Sequence, residues 1–245
     1  MNRLFLILAA FLMGPLRAMA QGETVEAREA RQNIQGAYNN CAYTPYYEST
    51  PQRYFEEIGA LAKQGVQLLD DAEAAQKQGR DLNNDVAQKN NAQTSANSTV
   101  FDATGTQNVS SQSATQQAQA AQAFALCKSK LLETADIEDK IIEKYNLIAD
   151  TFALCAANDQ SCDLPVGYQK GSQAIRSALK TRSSTCTMYA QKVVSGFQKE
   201  AAEIRHLAKH CDGSSGGSIL VSLNSGLVIA GALAIGAGAV LAIRN

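Results

Sequence analysis

Residues 52–90 read QRYFEEIGALAKQGVQLLDDAEAAQKQGRDLNNDVAQKN. Within them Tyr54, Ile58, Leu61, Gly65, Leu68, Ala72, Ala75, Gly79, Leu82 and Val86 recur at alternating intervals of four and three. That alternation is the repeat of a helix that buries one narrow seam against a neighbouring helix. Glu56, Glu57, Asp70, Asp71, Lys77 and Arg80 fall off the seam, where water solvates them. Ala and Gly at several seam positions predict close approach of a partner, at a cost of about 1 kcal/mol for each Gly relative to Ala.

Partner helices are expected further along the chain. A second helix, from about Ser113 to Ala157, would bury Leu131, Ile141, Tyr145, Ile148, Phe152 and Cys155. In it Phe124-Ala125-Leu126-Cys127 recurs as Phe152-Ala153-Leu154-Cys155, a whole number of heptads later. Asn158 to Gly171 carries turn-forming residues. A third helix from about Ser172 to His210 would bury Ile175, Leu179, Cys186, Ala190, Val193, Phe197, Ala201, Ile204, Ala208 and Cys211. Between the first two helices, residues 90–119 are almost entirely Asn, Gln, Ser, Thr and Ala, with Asp102 the only charge. Such a composition buries little apolar surface against its ordering entropy, so 92–112 is expected to be a polar loop at a hairpin tip. The fold class is therefore all-α: an elongated, coiled-coil-like antiparallel three-helix bundle over 52–211, preceded by an N-terminal segment 21–51. Only four Pro in 245 residues fit a helical chain, and the absence of Trp fits an interior of small and aliphatic groups.

Both ends carry targeting patterns. Residues 1–20 have the form of a secretory signal peptide: Arg3, the apolar run Leu4 to Met13, a Gly14-Pro15 break and Ala18-Met19-Ala20 as cleavage site. Arg17 is unusual there, and no Cys follows to make a lipoprotein signal. Without Arg3 and Arg17, 20 basic and 23 acidic residues remain, a net charge of −3 with no basic footprint for nucleic acid. After a Gly/Ser linker, 212–218, the run Ile219 to Ile243 contains no charged residue. At ~1.5 Å per helical residue it is long enough to cross a ~30 Å hydrocarbon core. A single transmembrane helix is expected, with the helical domain exported to the periplasm or cell surface. The alternative is a GPI-type signal cut at the Gly/Ser stretch, with Asn97-Ser98-Thr99 and Asn108-Val109-Ser110 as glycosylation acceptors. Ala230, Ala234 and Gly238 form a small-residue stripe, beside Ala232 and Gly236, suited to helix–helix association in lipid.

Six cysteines in an oxidising compartment predict three disulfides. Cys127 and Cys155 lie too far apart on one helix to pair, as do Cys186 and Cys211 on another. The favoured set is Cys127–Cys211, Cys155–Cys186 and Cys41–Cys162; its competitor has Cys41–Cys155 and Cys162–Cys186. This set wants the hairpin centred near residue 170, whereas the turn is centred near 164.

Chemistry is sparse. The closest constellation to a metal site is Glu203, His206 and His210, within 60° of one another on a helix at 100° per residue. Di-metal bundles need Glu-x-x-His twice with two further Glu, so a single site borrowing Glu133 or Asp136 is the strongest version available. A solvated face, with both His favouring the helix dipole, is the expected state. Neither a Cys-x-x-Cys pair, a Gly-x-Ser-x-Gly elbow nor a phosphate loop is present. Tyr43, Tyr46 and Tyr47 around Cys41 are expected to pack over a disulfide or to form a contact patch. No enzyme activity, cofactor or small-molecule substrate is expected. The expected role is a non-enzymatic, membrane-anchored scaffold or tether contacting a protein partner or itself. Alternatives are a receptor or adhesin using a membrane-distal loop, a membrane-active oligomer of the C-terminal helix, and a metal-binding bundle.

Overall fold

The structure is a computed structural model that describes residues 25–42, 50–96, 105–162 and 172–212. The described residues are all-helical. Four helices run in the order α1 (Val25–Cys41), α2 (Thr50–Ala96), α3 (Gly105–Ala157) and α4 (Ser172–Leu207), with short 3₁₀ turns at Asp159–Ser161 and Ala208–His210. The proposed signal peptide and the apolar run 219–243 lie outside the described residues, as do Tyr43, Tyr46 and Tyr47. Among the described residues, no helix is long and apolar enough to cross a membrane.

α3 is the central element. It packs along α2 on one side and along α4 on the other, while α1 lies mainly on α4. Cross-contacts fix the directions. Asp85 meets Gln116 and Glu57 meets Lys144, so α2 and α3 are antiparallel. Asp139 meets Arg205 and Ala156 meets Ser184, so α3 and α4 are antiparallel too. One aromatic residue from each helix joins in a chain: Tyr38 on Phe55 at 5.2 Å, Phe55 on Tyr145 at 6.0 Å and Tyr145 on Phe197 at 6.3 Å between ring centroids. This ladder ties all four helices into one core.

Helix boundaries follow local chemistry. Pro51 sits in the first turn of α2, where its missing N–H is no loss. Asn158 adopts an extended backbone that ends α3, and its side chain accepts from the Gln160 N–H at 3.1 Å. At the end of α1, Arg182 of α4 donates to the Asn39 and Asn40 carbonyls at 3.3 and 3.2 Å, satisfying acceptors that a helix end leaves open.

The structure corrects the expected three-helix architecture in several places. α1 is a fourth helix inside the segment 21–51; Ile34, Ala37, Tyr38 and Cys41 are its buried stripe. Loop 92–112 is also corrected: α2 continues through Ala96 and α3 begins at Gly105, leaving only 97–104 outside the described residues. Ala and Gln favour helix, and each helix is already nucleated where it packs, so continuing it costs little. In α2 the seam is turned by one position at every second step. Phe55, Ala62, Leu69 and Gln76 are buried in place of Tyr54 and Leu61 and deeper than Leu68 and Ala75, while Ile58, Ala72 and Val86 stay on the seam. Phe55 lacks the hydroxyl that Tyr54 would have to bury, and it draws the face toward the aromatic ladder.

The disulfides are Cys41–Cys186, Cys127–Cys211 and Cys155–Cys162, with Cα separations of 5.2, 6.0 and 4.4 Å. Cys127–Cys211 is as expected. Cys41–Cys162 and Cys155–Cys186 are not formed, and neither are the competing Cys41–Cys155 and Cys162–Cys186. α1 runs antiparallel to α4 and delivers Cys41 to Cys186, while the 3₁₀ turn folds Cys162 back onto Cys155. The α3–α4 register is nonetheless the one expected, centred near residue 170, because Cys127 meets Cys211 and Ala156 meets Ser184.

α1 seats closely because Gly36 faces the Tyr189 ring of α4; a Cβ there would lie 2.6 Å from it. Gly36→Ala is expected to destabilise the domain by about 1–3 kcal/mol through overpacking, despite the better helix propensity of Ala. Thermal unfolding followed by circular dichroism checks this; an unchanged or raised midpoint would show that the ring swings away freely.

Candidate functional site: a buried pair of carboxyls

The seam of α3 has a gap in its apolar pattern between Leu131 and Ile141. Thr134 and Glu138 occupy it, and both are 0% exposed. Thr134 donates to the Lys130 carbonyl at 2.9 Å, a bond within its own helix. Glu138 has no such outlet. Across the interface, α4 places Glu200 at 2% exposure. All four carboxylate oxygens are buried without a donor among the described residues.

Burial drives the protonation of this pair. Removing a carboxylate from water disfavours its charged form, and a second carboxylate opposite disfavours it further. Glu138 is pushed up to about 8, chiefly by burial; Asp139 and Glu203 add to the rise, while Glu200 as a hydrogen-bond partner and Arg205 oppose it. Glu200 is held well above the usual carboxylate range by burial and by Glu138 and Glu203. A proton on either acid gives it an O–H to donate to the other. The stable arrangement near neutrality is therefore a carboxyl hydrogen-bonded to its neighbour rather than two bare anions.

The surroundings offer little other ionisable chemistry. Among the described residues, α1 and α2 bury apolar groups, Gln76 and Tyr38. The Tyr145 hydroxyl is buried without a partner, and burial holds it far above its ordinary value. Just outside, Arg205 bridges to Asp139, a half-exposed pair that closes the rim over the buried acids. Glu138 and Glu200 are both buried, so a proton held by the pair lies inside the bundle.

The residues singled out from sequence lie elsewhere. Glu203 and His206 are exposed on the last turns of α4, and His210 is exposed in the 3₁₀ turn that follows. The two imidazoles come together, with ring centroids 4.9 Å apart. Glu133 is engaged by Ser129 and Lys130 on its own helix, and Asp136 is exposed. Among the described residues no group of three His, Cys, Asp or Glu is placed to hold a metal ion. A shallow open trough runs along α2, lined by Ala74, Lys77, Gln78, Asp81, Leu82 and Asp85.

Sequence reasoning passed over the carboxyl pair, although a signal was there. Counting the seam of α3 through its gap lands on positions 134 and 138, and Glu200 adjoins seam residue Ala201. Comparison of the chain with protein-family models, curated proteins and solved structures finds no match.

Proposed function

We propose that this protein is a non-enzymatic, exported helical scaffold, held at a membrane by residues 219–243 and engaging a protein partner or a second copy of itself. The observation that carries the reading is the stapling of the bundle. Cys41–Cys186 and Cys127–Cys211 each join two helices, Cys155–Cys162 closes the turn, and no free cysteine is found among the described residues. Three disulfides of this kind belong to an oxidising compartment. The 1–20 pattern supplies a route there, and the uncharged run 219–243 supplies an anchor. Ala230, Ala234 and Gly238 would give the anchor a face for self-association.

The receptor alternative, with ligand bound by a membrane-distal loop at 92–112, loses support. Most of that stretch is helical, and this end of the hairpin is the end toward which α4 runs.

Fractionation of native cells tests the proposal. The full chain is expected to stay in the membrane pellet after alkaline extraction, and its helical domain to be cleaved by protease added outside the inner membrane. A version ending at Ser218 is expected to appear in the soluble exported fraction. Thiol titration of denatured, unreduced protein is expected to find no free thiol. Recovery of the full chain from the cytosol with titratable thiols would end the scaffold reading.

A further inference from the structure

α4 gives way to a 3₁₀ turn at Ala208, and the two histidines of the chain stand on either side of that change. His206 lies in the last turn of α4 and His210 ends the 3₁₀ turn. Four residues apart, they share one face, and both are exposed. Their ring centroids are 4.9 Å apart, with 49° between the planes. That spacing has a chemical meaning. A metal–nitrogen bond of ~2.0–2.1 Å puts the centroid of a ligating imidazole ~3.2 Å from the ion. Two centroids 4.9 Å apart then subtend ~100° at a shared ion. Neighbouring ligands stand at about 90° in a tetragonal site and about 110° in a tetrahedral one. The tilt fits as well. Imidazole lone pairs lie in the ring planes, so parallel stacked rings could not aim at one point, whereas planes inclined to each other intersect.

We infer that His206 and His210 form a two-imidazole seat for a divalent late transition-metal ion, with Cu²⁺ its tightest occupant. Imidazole suits Cu²⁺, Ni²⁺ and Zn²⁺, and Cu²⁺ stands highest in the affinity order for a given nitrogen site. Water completes the coordination, because no group of three His, Cys, Asp or Glu among the described residues is placed to hold an ion. The position favours a cation, since the C-terminal end of a helix carries partial negative charge. Exposed Glu203, one turn before His206, adds to that field. Lys209 opposes it from an exposed position, while Arg205 is bridged to Asp139. The backbone between and after the two rings is held in place. Ala208 is buried, and Cys211, next to His210, is fastened to Cys127. A bound ion would tie the last turn of α4 to the 3₁₀ turn, a second clasp beside that disulfide. The seat depends neither on the proposed anchor nor on a protein partner.

Titration of the full, disulfide-bonded chain with Cu²⁺ alone tests the seat, followed by isothermal calorimetry and by pulsed electron paramagnetic resonance. The parent is expected to bind one ion at this site and to show spin-echo modulation from two imidazoles. His206→Ala and His210→Ala are each expected to weaken binding by at least about tenfold, since even partners outside the ligand shell are worth about that much. Each variant is expected to retain modulation from one imidazole at most. Both replaced residues are exposed, and far-ultraviolet circular dichroism checks that the helices are kept. Zn²⁺ added at equal concentration is expected to displace little of the Cu²⁺. Equal affinity in the parent and both variants, or modulation from a single imidazole in the parent, would overturn the seat and leave the scaffold reading standing. Ready displacement by Zn²⁺ would overturn the rank given to Cu²⁺.

Discussion

Stability of the folded domain is expected to fall as pH rises from about 4.3, the ordinary value of an unfolded Glu, toward about 8, to which Glu138 is raised in the fold. In that window the native pair retains a proton that the unfolded chain has released. Fewer protons bound in the unfolded state means that unfolding becomes easier as pH increases. The slope for one proton is about 1.4 kcal/mol per pH unit. Below the window both states are protonated, and the stabilisation is fully present. Above it both acids are driven toward anions with no donor, and the α3–α4 interface bears the repulsion. Glu200→Gln changes this in a defined way. Its amide can donate to Glu138 and the like charge is gone, so the part of the slope that Glu200 contributes should disappear, while burial still holds Glu138 up and leaves a shallower slope. At pH near 8 the variant is expected to be more stable than the parent by about 1–4 kcal/mol, as when buried charges are replaced by neutral groups. Urea unfolding of both proteins at several pH values measures this. Exposed His206 and His210 are unchanged in the variant, so a slope equal to the parent's would assign the pH dependence to groups other than the buried pair.

Removal of the Cys41–Cys186 bridge by replacing both residues with Ala is expected to be the most costly disulfide deletion. Its sequence separation is 145 residues, against 84 for Cys127–Cys211 and 7 for Cys155–Cys162. Loop-closure entropy gives about 5, 4.6 and 2.4 kcal/mol respectively, as upper figures. The ordering follows from topology as well. α1 rests on α4 along one helix face, and Cys41 is the point at which it is fastened. Without the bridge, α1 amides are expected to exchange with solvent faster, while amides of α3 beside Phe152 and Tyr145 keep most of their protection. Hydrogen exchange read by mass spectrometry resolves this. Equal loss of protection across all four helices would mean that α1 is integral to the core rather than clipped onto it.

Much of the helical part was legible because burial on a helix leaves a periodic trace. Leu131, Ile141, Tyr145, Ile148, Phe152 and Cys155 are all buried as their spacing implies, and so is the seam of α4 from Leu179 to Cys211. α1 was equally legible in principle, since Ile34, Ala37, Tyr38 and Cys41 follow the i, i+3, i+4, i+7 pattern. It is short, and polar residues surround that pattern, which is why it was passed over. The polar arm misleads for a different reason. Composition measures what a segment can bury, whereas helix continuation past a packed region depends on propensity once the nucleus exists. The carboxyl pair was hidden because Glu is read as a surface residue wherever it stands, and only the uninterrupted count through the α3 seam exposes position 138.

The one-dimensional pattern of the chain was enough to determine an all-helical domain, most of the faces that its long helices bury, and the pairing of Cys127 with Cys211. Each is a consequence of periodicity along a single helix or of distance along it. Tertiary structure alone decided which of the remaining four cysteines meet, how far α2 turns about its axis, and that Glu138 faces Glu200. Those depend on where a second helix lies in space. For Cys41 the deciding fact is that α1 runs back along α4, and nothing in the spacing of cysteines encodes the direction of a neighbouring helix.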